Sequence, residues 1–335
     1  MHDFRFYFFW IVLAVNITAT ILLFHFVNWI FGLIFLGILI IHSVDTIIVY
    51  CDSIWWPYHR WIDKNIVDIE EVKIPSSTAG QFLKGVILRN KNHDSNKKQI
   101  GVLFHHGYTG FKEKVFRFAI PLAMNDCVVL CPDARGHGES KNKIFSMDDF
   151  KGVMYDVEKE IDFLENLPDV DKDRLIMMGH SMGGIATLCN YPEPRLKKIV
   201  AISAPYDMLD MLSRNKTIIT KFINKRITKY IKKDKEFIES GEGIEEWSKK
   251  ISAKYVVEYE HPIPDKDRVY LVHCKHDDLV LFEESAKLKE HLKLPDENVL
   301  FLEEPPKKYM MAAHNLTGQS TIISTFLINI AKSLK

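Results

Sequence analysis

The chain has 335 residues and a mass of 39.0 kDa. With 47% hydrophobic and 26% charged residues it is too apolar for a disordered protein, so we expect a compact fold. Forty-four basic residues balance forty-four acidic ones, and this zero formal charge argues against a protein built mainly to bind nucleic acid.

The first predicted element is a long apolar segment. Residues 6–50 contain one formally charged side chain, Asp45. A bilayer core takes roughly 20 helical residues, so the segment is long enough for two membrane spans, near residues 6–25 and 29–50. A single span followed by an interfacial helix is the alternative. A cleaved signal peptide fits less well, because its apolar core is only about 7–15 residues long.

Basic residues flank the apolar segment, and the proposed turn between the spans has none. Arg5 precedes the segment, and Arg60 and Lys64 follow it. By the positive-inside rule, both ends of the hairpin and the domain that follows are predicted to be cytoplasmic. We therefore divide the chain into a membrane anchor, residues 1–62, and a folded domain, residues 63–335.

The cysteines agree with a reducing compartment. Their number is odd, their spacing is irregular and no two form a CxxC pair, so neither a disulfide framework nor a structural zinc site is supported. We expect reduced, buried thiols at all five positions: Cys51, Cys127, Cys131, Cys189 and Cys274.

After the anchor, short apolar runs alternate with amphipathic stretches, which is the pattern of a three-layer α/β domain. Helices are predicted over residues 148–164 and 283–292 from their helical apolar spacing. Residues 206–264 fit no strand–helix alternation and are predicted to be an insertion. Eight strands are predicted, over residues 65–74, 82–88, 100–104, 127–130, 174–178, 198–202, 269–272 and 299–301.

A GxSxG pentapeptide follows the fifth predicted strand, with Ser181 at its centre between Gly179 and Gly183. Small residues beside the serine permit a sharp turn from strand to helix that exposes the hydroxyl group. The helix that follows directs its first amides towards a developing oxyanion. This context predicts that Ser181 is a nucleophile.

With this motif in place, residues 65–335 resemble an α/β-hydrolase of the serine aminopeptidase and monoacylglycerol lipase type. Residues 105–110 (HHGYTG) match the family's HGxxG oxyanion loop, and residues 133–140 (DARGHGES) match its DxRGHGxS signature. The resemblance implies an eight-stranded, mostly parallel sheet with helices on both faces and a helical lid. It also implies that the backbone amides of Tyr108 and Met182 bind the oxyanion, and that His137 anchors a loop.

The remaining catalytic positions are likewise implied by the resemblance. Residues 272–280 resemble the family's acid block, which places the acid at Asp277, although Cys274 replaces the usual glycine. Asp278 and Asp207 are the alternatives. His314 occupies the family's histidine position and completes the chain order Ser, Asp, His. The chemistry expected of these three groups passes through an acyl-enzyme and needs no metal or organic cofactor.

The insertion carries a strongly basic stretch. Residues 211–235 contain nine basic residues and one acidic residue, followed by five glutamates in residues 236–246. Apolar residues at helical spacing predict one stripe: Ile219, Phe222, Ile223, Ile227, Tyr230 and Ile231. This is typical of a helix that lies on an anionic membrane. Pairing of the basic and acidic halves within the lid is the alternative.

Together these features predict a membrane-anchored serine hydrolase that cleaves carboxylic esters of apolar acyl chains, such as monoacylglycerols or lysophospholipids. Thioesterase and serine aminopeptidase activities use the same groups and stay open. A non-catalytic scaffold with the same fold is a third alternative. The motifs do not specify the acyl length, the head group or the oligomeric state.

Overall fold

The structure is a computed structural model that divides into two compact units, Met1–Trp61 and Ile62–Lys335. It describes residues 14–22, 24–25, 29–37, 39–40, 66–93, 97–140, 150–213, 218–232, 235–260, 268–303, 313–316 and 318–334.

In the first unit, residues 14–22, 24–25, 29–37 and 39–40 are helical. No described helix has both the length and the apolar character needed to cross a membrane. The two predicted spans include residues 6–13, 26–28 and 41–50, which lie outside the described part, so the anchor stays a prediction. Large apolar side chains are exposed in this unit, among them Val15, Ile17, Ile21, Leu22, Phe24, Trp29, Ile30, Phe31, Leu33, Ile34 and Ile40.

The second unit contains the eight predicted strands in one sheet. They are β1 (Val67–Pro75), β2 (Phe82–Asn90), β3 (Gln99–His105), β4 (Cys127–Pro132), β5 (Val170–His180), β6 (Leu196–Ile202), β7 (Val269–Cys274) and β8 (Val299–Leu302). Their order is β1-β2-β4-β3-β5-β6-β7-β8. The pairs β1–β2 and β2–β4 are antiparallel and all other pairs are parallel.

The helices outside the insertion cover the two faces of the sheet. They are α1 (Phe116–Ala123), α2 (Phe150–Glu165), α3 (Met182–Cys189), α9 (Phe282–Leu292) and α10 (Ser320–Lys332). The helices between α3 and α9 belong to the insertion. Leu103 of β3 packs in the core that contains Ile161 of α2 and Ile185 of α3. The next residue, Phe104, stacks on Phe118 of α1 at 6.1 Å, on the opposite face. The buried parts of the central strands are largely apolar because both faces of the sheet are covered. This arrangement confirms the predicted α/β class of the folded domain.

The insertion between β6 and β7 is helical in every part that the structure describes as regular. Its helices are α4 (Met208–Ser213), α5 (Ile218–Ile231), α6 (Lys235–Ser240), α7 (Ile244–Lys250) and α8 (Ala253–Tyr255), followed by a π-helical turn at Val256–Glu260. Trp247 of α7 is 1% exposed and packs edge-on against Phe237 of α6. The insertion therefore packs into the hydrophobic core of the hydrolase domain.

The described part of the predicted apolar stripe of α5 faces that core. Ile227 and Ile231, the two stripe residues whose side chains the structure describes, are buried. Lys221, Lys225, Lys229 and Lys232 lie on the exposed side. Within the described residues, no carboxylate lies within ion-pair distance of these four lysines, which we call the lysine face. The ion pairs described in the glutamate-rich half are formed instead by Lys249 and Lys250, with Glu246 and Glu242.

Candidate active site

Ser181 lies at the sharp turn between β5 and α3, with φ 53° and ψ −113°. Positive φ is a strained backbone conformation for a residue with a side chain. It persists here because the surrounding residues restrict the turn to this conformation. A Cβ on Gly179 would lie 2.1 Å from the carbonyl oxygen of Gly183, and a Cβ on Gly183 would lie 2.6 Å from Cβ of His105. The motif therefore requires glycine at both positions.

His314 contacts both other members of the predicted triad. Its Nε2 is 3.1 Å from Oγ of Ser181, and its Nδ1 is 2.8 Å from Oδ2 of Asp277. All three side chains are buried. Because Nδ1 faces a carboxylate it carries the proton, and Nε2 is left to accept a hydrogen bond from the serine hydroxyl.

Asp277 follows β7 and is held by four donors. Its Oδ1 accepts hydrogen bonds from the amides of Leu279 and Val280, both at 2.9 Å. Its Oδ2 faces His314 and His273. Burial alone would raise the pKa of this carboxyl, but the charge of His314 and the hydrogen bonds from the two histidines outweigh burial and hold the pKa well below its ordinary value. Asp277 is therefore ionised at neutral pH.

The alternative acids have other surroundings. Asp278 is exposed. Asp207 accepts hydrogen bonds from the amides of Leu209 and Asp210 at the start of α4 and pairs with Lys254 at 3.1 Å. The substitution of cysteine for glycine at Cys274 leaves the turn intact, because the amide of Asp277 donates to the carbonyl of Cys274 at 3.1 Å.

The two predicted oxyanion donors lie on segments that flank Ser181. Tyr108 follows Gly107, where a Cβ would lie 3.2 Å from Cβ of Ser181. The amide of Gly110 donates to the carbonyl of Gly107 at 2.9 Å and closes a turn between them. Met182 is the first residue of α3, and the first amides of a helix have no carbonyl partner within it.

Two histidines of the matched motifs have structural partners. His106 accepts a hydrogen bond at Nε2 from the amide of Ala134, at 3.0 Å, and donates from Nδ1 to the carbonyl of Gly107, at 2.8 Å. Burial is the main cause that lowers the pKa of His106 to about 3. Nδ1 of His137 lies 2.9 Å from the carbonyl oxygen of Arg135, a contact within the loop that His137 is expected to anchor.

Sequence reasoning did not identify Lys112, which is buried. It joins the loop of residues 105–110 to the segment of residues 133–140. Its amide and its Nζ donate to the two oxygens of Asp133, at 2.7 and 2.9 Å, and Nζ also contacts Glu139 at 2.8 Å. Burial favours the neutral amine, yet the carboxylates around it raise the pKa of Lys112 above its ordinary value. A lysine at the start of a short 3₁₀ helix gives no local signal of burial, so only the fold reveals it.

Sequence reasoning also gave no role to His180 and His273. His180 Nε2 donates to the backbone carbonyl of His314 at 2.8 Å. Burial, followed by the charge of His314, lowers the pKa of His180 to about 3. His273 contacts Asp277 from β7. Among the described residues, no group of three or more His, Cys, Asp or Glu side chains is arranged to hold a metal ion.

Residues 96–304 match the family described as serine aminopeptidase, S33. A curated relative, the hydrolase LUC6 from a Fusarium species, is 26% identical over 147 residues. That alignment covers 43% of this chain and 35% of the relative, so the chain matches about a third of that protein's length.

Solved structures share the fold. An esterase from Pyrococcus furiosus superposes with a TM-score of 0.52 at 21% identity, covering 78% of this chain and 91% of the esterase. The acylaminoacyl peptidase of Pyrococcus horikoshii gives a TM-score of 0.56 at 13% identity, covering 81% and 43%. Oligopeptidase B from Leishmania major gives 0.54 at 15% identity, covering 81% and 37%. These similarities establish an α/β-hydrolase fold.

Proposed function

This chain belongs to the serine aminopeptidase S33 family. We propose that it is a serine hydrolase that cleaves carboxylic esters of apolar acyl chains at a membrane. Monoacylglycerols and lysophospholipids are the substrate class. The observation that carries the catalytic part is the chain of contacts from Ser181 through His314 to Asp277.

In the proposed first half-reaction, Oγ of Ser181 attacks the ester carbonyl carbon while Nε2 of His314 takes the hydroxyl proton. Asp277 stabilises the imidazolium that forms. The amides of Tyr108 and Met182 donate to the oxyanion, each contributing on the order of 3 kcal/mol of transition-state stabilisation. His314 then gives its proton to the leaving alcohol, and the acyl group stays on Ser181.

In the second half-reaction, water takes the place of the alcohol. His314 removes a proton from water, and the resulting hydroxide attacks the acyl carbon. Collapse of the tetrahedral intermediate releases the carboxylic acid, and the proton returns from His314 to Ser181. The enzyme is restored with no other reactant consumed.

The choice of an apolar acyl chain is supported by the packing around the nucleophile. Met182 belongs to the same hydrophobic cluster as Ile227, Ile231 and Trp247 of the insertion, and Tyr108 packs against that cluster. We propose that an acyl chain attached to Ser181 lies against hydrocarbon side chains of this cluster. Transfer of such a chain from water is favourable by about 0.8 kcal/mol per buried methylene.

The membrane location is supported by two separate features. The N-terminal unit exposes large apolar side chains, and its sequence from residue 6 to residue 50 is long enough for two spans. The lysine face of α5 presents four cations without described ion-pair partners. We propose that this face lies against anionic lipid head groups on the cytoplasmic side, while the apolar side of α5 stays in the lid.

The proposal is tested by labelling the full-length protein in detergent with a fluorophosphonate and then measuring turnover of p-nitrophenyl esters of increasing chain length. We expect labelling of wild type and a kcat/KM that rises with chain length. Faster cleavage of aminoacyl amides than of esters would contradict the ester proposal in favour of aminopeptidase action. Faster cleavage of matched thioesters would favour a thioesterase.

A further inference from the structure

His273 is a fully buried residue of β7, four positions before Asp277. Its Nε2 is 2.9 Å from the carbonyl oxygen of Val280 and 3.3 Å from Oδ2 of Asp277. Both neighbours are acceptors, so Nε2 carries the proton; it donates to Val280 and faces the Asp277 carboxylate.

The other side of the ring is held by α9. Nδ1 of His273 is 2.7 Å from Oγ of Ser285, and because Nδ1 is unprotonated in this tautomer, the serine hydroxyl donates to it. Phe282 packs edge-on against the ring at 6.0 Å. The orientation and the tautomer of His273 are therefore set by groups on both sides.

A continuous chain of polar contacts results. It runs from Ser285 through His273 to Asp277, and from Asp277 through His314 to Ser181. The same oxygen of Asp277 thus faces two imidazoles, of which only His314 contacts the nucleophile.

We infer that His273 is a positioning residue for the catalytic carboxylate. It holds Oδ2 of Asp277 in the orientation that His314 needs, and it withdraws part of the negative charge that would otherwise act on His314. A carboxylate with one donor fewer binds protons more strongly and also stabilises the imidazolium more. The inference rests on the proposed roles of Ser181, Asp277 and His314.

Other ionisable groups surround this pair. They are His180 of the serine turn, on which the charges of His314, Arg117 and Asp277 act, and two chain neighbours of the contact residues, Cys274 after His273 and Glu284 before Ser285. His180 has a pKa of about 3, so it stays neutral in the pH range of interest. Glu284 accepts hydrogen bonds from the amides of Tyr206 and Asp207.

The test is the rate of fluorophosphonate labelling of the full-length protein against pH, for wild type, His273→Phe, His273→Gln and Ser285→Ala. Phe keeps an aromatic ring and removes the donor, whereas Gln keeps a donor near the position of Nε2. We expect the His273→Phe variant to be labelled about 10-fold more slowly, because it lacks one hydrogen-bond donor to a charged group. Its acid limb should move to higher pH by about half a unit or more.

His273→Gln should restore most of the rate and return the acid limb towards that of wild type. Ser285→Ala should shift the limb in the same direction as Phe but less, because it loosens the ring without removing the donor. This second variant carries the test if His273→Phe fails to fold, as judged by circular dichroism.

An unshifted acid limb in a folded His273→Phe protein would overturn the inference. A His273→Gln variant as impaired as His273→Phe would also overturn it, because the ring would then serve packing alone. With Phe unfolded, an unshifted limb in Ser285→Ala has the same meaning. Absence of labelling in wild type is a different outcome and would contradict the proposed function itself.

Discussion

His180 donates a hydrogen bond from Nε2 to the backbone carbonyl of His314 at 2.8 Å, joining two residues 134 positions apart. The two rings lie 5.0 Å apart between centroids. Because His180 is the residue before Ser181, the loop that carries the base is attached to the turn that carries the nucleophile. The Ser181–His314 distance is thus maintained by the backbone as well as by the two side chains.

Ser181→Ala should abolish fluorophosphonate labelling and lower kcat for a short ester by roughly a million-fold. The fold should be unaffected, because the tie between His180 and His314 does not involve the serine hydroxyl. Intact-protein mass spectrometry after labelling measures the first effect, and thermal unfolding checks the second. Retained labelling of the variant would show that another residue is the nucleophile.

Asp277→Asn should lower kcat on the order of ten thousand-fold, because an amide at this position favours the wrong tautomer of His314. The matched control is Asp278→Asn, which removes the same charge from an exposed neighbour. Steady-state hydrolysis of a short ester compares the two variants. If Asp278→Asn were the crippling change, the acid would have been misplaced by one residue.

Arg135→Met should destabilise the hydrolase domain by about 3 kcal/mol, because it leaves the Asp156 carboxylate buried without its cation. Arg135 contacts both oxygens of Asp156, at 2.8 and 2.7 Å. Burial alone would raise the pKa of Asp156, but Arg135 and the donors from Ser77 and Ser76 hold that pKa below its ordinary value.

The sign of the pH dependence follows from that lowered pKa. In wild type, the contribution of Asp156 is present above the unfolded pKa of about 4 and is lost as pH falls through the folded value. The variant raises the folded pKa, so its deficit should shrink as pH falls towards 4, measured by urea unfolding. Arg195→Met removes ion pairs of a more exposed arginine and should cost at most about 1 kcal/mol.

Changing Lys221, Lys225, Lys229 and Lys232 to Gln should weaken binding of a chain lacking residues 1–62 to phosphatidylserine vesicles by about 1,000-fold at low salt. Each lysine near an anionic surface contributes about 1 kcal/mol, screened by salt. Binding of the unsubstituted chain should fall as salt is raised, measured by vesicle sedimentation. Turnover of a short ester should stay nearly unchanged.

The matched control changes four exposed lysines outside the lid, Lys91, Lys97, Lys172 and Lys197, to Gln. It alters the net charge equally and should leave vesicle binding nearly intact. Equal weakening by both sets would mean that overall charge, and not the lysine face, attracts the membrane.

Tags at either end of the full-length protein should be protected from protease in intact cells, because Arg5, Arg60 and Lys64 predict cytoplasmic ends. Permeabilised cells provide the control for protease activity. Protection of the N-terminal tag together with cleavage of the C-terminal tag would indicate one span and an enzyme outside the cytoplasm.

Much of the fold could be predicted because its signals are local. All eight strands were predicted from apolar runs, each within a few residues of its observed bounds. The requirement for glycine at Gly179 is also local, since a Cβ there would meet Gly183 in the same turn, whereas at Gly183 the obstacle is His105 of β3. The motif match located Asp277 and His314 as positions, but their contact depends on the order of strands in the sheet.

The tertiary structure alone decided which groups meet across distant segments. His180 and His314, Lys112 and Asp133, and His273 and Ser285 become partners only after strands and helices are arranged. The orientation of α5 is likewise decided by the tertiary structure. Its sequence defines an apolar side and a basic side, but what lies against each depends on the surface the rest of the lid offers, and here that surface buries Ile227 and Ile231. Periodicity along a chain encodes which residues share a face, whereas burial and pairing depend on what that face meets.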